Sequence, residues 1–536
     1  MKRSLVWSVV ILSSSMSFAE VRSVTDVDSL CEAMKSLKDG DRIELAPGTY
    51  DLSKGSYASS ATTYFSLTGY NNFQIVGTGA NASETVIKSD GETSNRRFLS
   101  FRAYPDVVIS NLTVTGFARN GDGGGAFYYE STKHDHANAT IVDCVISNNW
   151  ASGGGGAFGY YQWHQTVPCD SNAVTLVRCL LADNHSGGAA GAILMPFNGM
   201  SIDCVFRNNS CTNAGGAVVG GTHIRSKFCG NWCHTKNNSS SGGGAIVSER
   251  GVTSCYDCIF ENNWVDAPSY PWGAGGAVHV TTAASVISNC TFRNCWSGSG
   301  VLTCSVAGGL VSDCTFVCNT NMMHDVYMGR VAASFAKYAN CLFATNRSNG
   351  AVCGGNTYTV ANCLFATNVV GNARITDQNG RIYNSTFVNN KNFSGNSYYG
   401  CIHPTGSTAV NCAFYMNRSN DYMCDVDCRE GMKFAITNCV YHDVMGAPAS
   451  GDPLANFGAL AAGNEMKADF RFANAAAGDY RLAKTSPLRD FGYLGADVLA
   501  VVGDRDLAGA PRRQGKGIDA GCYEFGPIPG LMLLLR

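Results

Sequence analysis

The chain has little charge. Lys, Arg, Asp and Glu make up 15% of its 536 residues and the formal balance is −2, or −4 once Lys2 and Arg3 are set aside. A phosphate backbone is bound through a basic stripe, so this balance argues against nucleic acid as a partner. No stretch of 18 apolar residues follows the N-terminal segment, which excludes a transmembrane helix there. Helical periodicity is missing from the central region, and so are a nucleophile elbow, a metalloprotease helix motif and a phosphate loop. Tryptophan is absent after Trp296.

What is abundant is repetition. A phrase close to Asn/Asp-Cys-x-Phe-x-x-Asn recurs, as in Asp203-Cys204-Val205-Phe206-Arg207-Asn208-Asn209 and Asp257-Cys258-Ile259-Phe260-Glu261-Asn262-Asn263. Its cysteines stand at 144, 179, 204, 258, 290, 314, 341, 363, 412 and 439, and Ser226 and Ser385 hold the same place in two further copies. The shortest gaps are 22 residues, the mark of a solenoid with insertions. Cys and Phe two apart face the same side of a strand, and each unit is too short for a helical repeat.

The reading is therefore all-β: a right-handed parallel β-helix with three short strands per coil and an N-terminal capping helix. Pro47-Gly48-Thr49-Tyr50 resembles the opening of pectate-lyase-like solenoids. About 15 coils at roughly 4.8 Å each give a rod on the order of 70 Å long. Phe fills the core and the ladder Cys acts as a small buried hydrophobe. The Asn three after Phe is expected at a corner, in left-handed geometry, stacked on its neighbours by hydrogen bonds. A second phrase, Gly-Gly-Ala-apolar, recurs as Gly215-Gly216-Ala217-Val218 and Gly243-Gly244-Ala245-Ile246, where glycine permits close backbone approach.

Lys2-Arg3, the apolar run Leu5 to Leu12 and Ser17-Phe18-Ala19 read as a signal peptide over 1–19. Residues 20–63 are the cap and first coil, with Asp26 or Asp28 capping a helix that carries Leu30, Met34 and Leu37 on one face. The coils occupy 64–445, a capping segment 446–525, and a short tail 526–536 whose place suits a vestigial sorting signal. Ladder cysteines are expected as packed thiols. Off-ladder ones, Cys169, Cys211, Cys229, Cys233, Cys255, Cys295, Cys304, Cys318, Cys353, Cys401, Cys424 and Cys428, are the candidates for pairing, with connectivity open.

The interleaved Gly-Gly-Ala-apolar and Phe-x-x-Asn phrases, over about 105–440, resemble those of the chlamydial polymorphic membrane protein family. That resemblance implies a β-helical surface adhesin on a bacterial outer membrane. The chain departs from the family after residue 440, where nothing is long or regular enough for an autotransporter barrel. The C-terminal segment is similar to the end of bacterial choice-of-anchor Q β-helix proteins. The similarity rests on Gly478-Asp479-Tyr480-Arg481-Leu482, Asp506-Leu507-Ala508-Gly509-Ala510-Pro511-Arg512 and Gly517-Ile518-Asp519-Ala520-Gly521-Cys522-Tyr523-Glu524. It implies a surface location.

Chemistry is sparse. The outward residue after each core Phe reads Arg207, Cys229, Glu261, Arg293, Val317, Ala344, Ala366, Val388 and Tyr415, which contains no carboxylate pair and reads as a solvated strand face. Lys133-His134-Asp135-His136, His324-Asp325 and Asp425-Val426-Asp427 read as polar loops, and Cys255-x-x-Cys258 lacks the second half of a zinc site. No catalytic residue, metal or cofactor is assigned. Exposed rings are the better signal: Trp150, Trp163, Trp264 and Trp272, beside Asn, Tyr or Gln, are the candidate ligand-binding residues. The expected function is a secreted or outer-membrane-surface scaffold, adhesin-like or glycan-binding. Its partners would be extracellular glycans or proteins of host or neighbouring cell surfaces. The alternatives are a polysaccharide lyase or glycoside hydrolase working in a β-helix groove, and a purely structural envelope role.

Overall fold

The computed structural model describes residues 19–526, apart from 55–64, 69–71, 92–94, 103–105, 132–137, 163–172, 197, 235–241, 249–250, 267–273, 299, 322–329, 356, 372, 394–399, 430, 432–433 and 447–450. Residues 1–18, within the expected signal peptide, and the tail after Gly526 lie outside the described residues. Among the described residues no helix is long and apolar enough to cross a membrane.

The chain is a parallel β-helix, and most coils carry four strands. Met200–Ile202 and Thr222–Ile224 belong to face 1, Val205–Arg207 and Lys227–Cys229 to face 2, and Ser210–Cys211 and Trp232–His234 to face 3. Val218–Val219 and Ile246–Ser248 belong to face 4. Coil stacks on coil in parallel register, for example Phe206 beside Phe228 and Ser210 beside Trp232. Face 2 runs to 16 strands and face 3 to 13. Three long sheets thus run along the axis, as three strands per coil would give, but in most coils the 27-stranded sheet contributes two strands, faces 1 and 4, and the Gly-Gly-Ala phrase makes the corner between faces 3 and 4. A Cβ on Gly216 would lie 2.0 Å from the carbonyl oxygen of Gly244, so only glycine lets neighbouring coils meet at that corner.

Inside, three side-chain columns run along the axis. Phe206, Phe228, Phe260, Phe292, Phe316, Phe343, Phe365, Phe387 and Phe414 stack with centroids 4.7–5.1 Å apart, within 17° of parallel. The cysteines form the second column. The backbone N–H of Cys179 donates to the sulfur of Cys204 at 3.4 Å, and that of Cys204 to Ser226 Oγ at 3.3 Å. Serine therefore serves at 226 and 385 because the position needs a small acceptor, not only a small hydrophobe. Burial pushes the Cys290, Cys314, Cys363 and Cys439 thiols up, which keeps them protonated and unreactive.

The third column is asparagine. Asn184 Nδ2 donates to Asn209 Oδ1 at 3.0 Å and to the carbonyl of Ile146 at 3.0 Å, and the pattern repeats coil after coil. These are the residues three after Phe, and they are buried, not left-handed. The left-handed residue precedes them, as at Asn208 with φ 54° and Asn262 with φ 55°. One position bends the chain, and the next hands its amide to the interior ladder.

The helix Val27–Lys35 forms where expected. Asp26 accepts from Ser29 N in a capping box, and Leu30 and Met34 are buried against the first coils. At the far end, Glu465–Met466 makes the last face-2 rung, while Leu454 and Phe457 close the core. Residues after Met466 lie along the flank, and this overturns the solvated-face reading for five of the nine outward residues. Val317, Ala344, Ala366, Val388 and Tyr415 are covered by Phe470, Phe472, Tyr480, Leu482, Leu488 and Cys522. Asn362 Nδ2 donates to the carbonyl of Val502 at 2.7 Å, and Asn411 Nδ2 to that of Tyr493 at 3.0 Å. Arg512, fully buried, pairs with Glu524 at 2.7 Å and donates to Asn362 Oδ1 at 2.6 Å.

No disulfide joins the described cysteines, the off-ladder ones included. Across the coils Cys255 sits between His223 and Ile287, and Cys295 takes an asparagine's place in the amide column. Cys211 and Cys233 alone face each other across a rung of face 3, sulfurs 3.2 Å apart.

Candidate functional site

Face 3 begins directly after the interior column residue of the coil, Asn in most and Cys295 before Trp296, so its first residue points outward and its second inward. Trp232, Trp264 and Trp296 are consecutive in register on this outward row. The first two rings stack with centroids 5.1 Å apart and planes within 6°. They are half-buried, so each covers part of its neighbour, whereas Trp296 keeps 38% of its surface exposed. Beside them His234 Nδ1 contacts Asp266 Oδ2 at 2.9 Å, and Glu261 binds Lys227 at 3.1 Å and Arg293 at 2.9 Å.

Trp150 occupies the same row, four coils before Trp264. His185 and Ser210 lie between Trp150 and Trp232 and are joined to each other at 2.8 Å. Trp163 and Trp272 lie outside the described residues, as do Lys133-His134-Asp135-His136 and His324-Asp325. Of the four candidate tryptophans, then, two share a face, and Trp264 is the one embedded in an aromatic row. The row also includes Trp232 and Trp296, which are not among those four. The same signal, the residue following the interior Asn, continues the row into Arg347, Val369, Lys391 and Arg418.

A second set of polar groups converges near face 4. The Arg330 guanidinium pairs with Asp377, whose Oδ1 also accepts from Gln378 N at 2.8 Å. His403 lies close by and half-buried, and its Nδ1 accepts from Thr405 N at 3.2 Å, leaving Nε2 to carry the proton of the neutral ring. Burial and the nearby Arg374 hold its pKa below the ordinary histidine value. Arg374 is nearly buried and lines a small pocket with Arg418, Asn392 and Cys401. Asp425, in Asp425-Val426-Asp427, sits in a bend but is buried, not solvated: it ends the asparagine column, while Asp427 binds Arg429 at 2.7 Å. Cys255 and Cys258 are both buried in the core, and no group of three metal-ligating side chains occurs among the described residues.

No family model matches the sequence, and no curated protein matches it. Among solved structures, a mannuronic-acid-specific family 6 polysaccharide lyase from human gut microbiota is similar at 13% identity and TM-score 0.32, over 84% of this chain and 92% of that one. A pectate lyase gives 11% identity and TM-score 0.21, over 95% and 97%. The catalytic unit of an α-1,3-glucanase from Streptomyces thermodiastaticus gives 14% and 0.30, over 71% and 65%.

Proposed function

We propose that this protein is a secreted or cell-surface β-helical scaffold that binds glycans on face 3. The observation that carries the reading is the in-register row Trp232, Trp264 and Trp296, ending on the exposed ring of Trp296. Indole rings combine a flat apolar face with a polar N–H, the combination that suits the C–H faces and hydroxyls of sugars. A rigid strand presents them with little ordering cost on binding. The test is a glycan array followed by calorimetry on the full mature chain. The Trp264→Ala/Trp296→Ala double variant is expected to lose about tenfold or more in affinity, and unchanged affinity would sink the reading.

A second reading, a polysaccharide lyase or hydrolase, is favoured by Asp377 and His403 beside Arg330 and Arg374. Asp377 would be the base toward an acidic sugar held by the guanidinium groups, and the Nε2–H of His403 would hydrogen-bond the same sugar. Reducing-end release from a polysaccharide panel, abolished by Asp377→Asn and weakened by His403→Ala, would establish it. Release unaffected by both changes would remove this cluster from the chemistry.

A further inference from the structure

The outward row of face 3 changes character along the axis. After Trp296 it continues through Thr320, Arg347, Val369, Lys391 and Arg418, one residue per coil. Coil spacing places Arg347 about 10 Å from Lys391 and about 14 Å from Arg418, measured along the axis. An aromatic half is thus followed by a cationic half on one straight face.

The two arginines differ from those on earlier corners. Arg178 is paired with Asp143, Arg225 with Asp203 and Arg293 with Glu261, each within 2.9 Å. Arg347 and Arg418 are exposed and have no ion pair among the described residues. Lys391 reaches one carboxylate, that of the almost wholly exposed Asp421, at 3.9 Å, and its ammonium lies 4.7 Å from the exposed Phe393 ring. The other nearby carboxylates are engaged: Asp377 with Arg330, and Asp425 inside the core. Arg418 also lines the pocket that contains Arg374, so positive charge extends from the row into a recess. Guanidinium groups left unpaired on a rigid surface are complementary to carboxylates or sulfates, which they bind through parallel N–H donors.

We propose that face 3 binds an acidic polysaccharide laid parallel to the helix axis. Sugar rings would meet the aromatic half, and carboxylate or sulfate groups would meet Arg347, Lys391 and Arg418. This rests on the glycan reading above and adds the ligand's charge and direction.

The experiment measures binding of the full mature chain to a uronate polymer, a sulfated polymer and a neutral polymer of similar length, at low and moderate salt. Wild type, Arg347→Ala/Arg418→Ala, the matching Lys variant and Trp264→Ala/Trp296→Ala are compared, with thermal melts to show that each is folded. The expected result is at least about tenfold preference for an acidic polymer, weakening with salt. The Ala pair should lose that preference and the Lys pair retain much of it. The uronate and sulfate arms then identify which anion is recognised. Equal binding of neutral polymer, or an acidic preference untouched by the Ala pair, overturns the proposal. In that case Trp-dependent binding of neutral polymer would leave the glycan reading standing, whereas binding to none of the three overturns both. Tighter binding to single-stranded nucleic acid than to either acidic glycan would also overturn it.

Discussion

Asn417 donates its side-chain amide to Asp425 Oδ1 at 2.6 Å, and its backbone N–H reaches the same oxygen at 2.9 Å. This is the last step of the asparagine column. Asp425 Oδ2 accepts from the backbone N–H groups of His442 and Asp443 at 3.0 Å each, so the carboxyl group closes the ladder by accepting four donors. A fully buried carboxyl is a demanding terminator, and it leads to the first prediction.

Burial pushes the Asp425 pKa up to about 6 against the pull of those donors. A raised value means the native state holds its proton to higher pH than the unfolded chain. The stability this contributes is present below about pH 4 and is lost as pH rises through about 6. Asp425→Asn should remove that part of the pH dependence. It should also lower stability by about 1–3 kcal/mol, because an amide nitrogen must face two N–H donors. Urea unfolding at pH 4.5 and pH 7 checks both, and identical pH dependence in the two proteins would show that Asp425 is not the group titrating.

Phe316 is stacked between Phe292 and Phe343 with centroids 4.7 Å away on each side, and it is fully buried. Phe316→Ala should cost about 3–5 kcal/mol, since a rigid column cannot collapse to fill the gap. Phe316→Leu should cost less. Midpoints of denaturant unfolding distinguish the two, and a loss below about 1 kcal/mol for the Ala variant would contradict the packing described.

The flank segment is held by Arg512 among three acids. Burial raises the pKa of Asp506 and Asp519, and pushes Glu524 up to about 8 despite the adjacent guanidinium. All three shifts have the same sign, so docking is strongest at low pH and weakens as pH rises toward and through about 8. Proteolytic nicking after Met466 should accordingly be faster at pH 9 than at pH 6, after correction for protease activity on a control. Faster nicking at pH 6 would reverse the assignment.

Cys211 and Cys233 are parallel rung partners, and the usual coil spacing of about 4.8 Å falls within the Cα range that a disulfide spans. Refolding with glutathione disulfide should join them, each thiol giving up its hydrogen as one glutathione disulfide is reduced to two thiols. The bond closes a loop of about 22 residues and should add roughly 3 kcal/mol. Peptide mapping without reduction should find Cys211 linked to Cys233. A link from Cys211 to any other cysteine would contradict the register.

Much of the architecture was written in short phrases. The spacing of Cys and Phe fixed the shared strand face, the Asn that follows announced a stacked column, and Asp26 with Leu30 and Met34 marked the cap. These features are local, or repeat with the period of the coil, so a linear reading reaches them. Only the folded chain decided what depends on neighbours distant in sequence. Tertiary packing turned Val317, Ala344, Ala366, Val388 and Tyr415 into a dock for residues more than 50 positions later. It matched Cys211 with Cys233 across a rung, and set Cys255 between His223 and Ile287. It aligned Trp264 with Arg347 and Arg418 on one face, across insertions of unequal length. Insertions shift sequence spacing but not hydrogen-bond register, and register is what places outward side chains in a row.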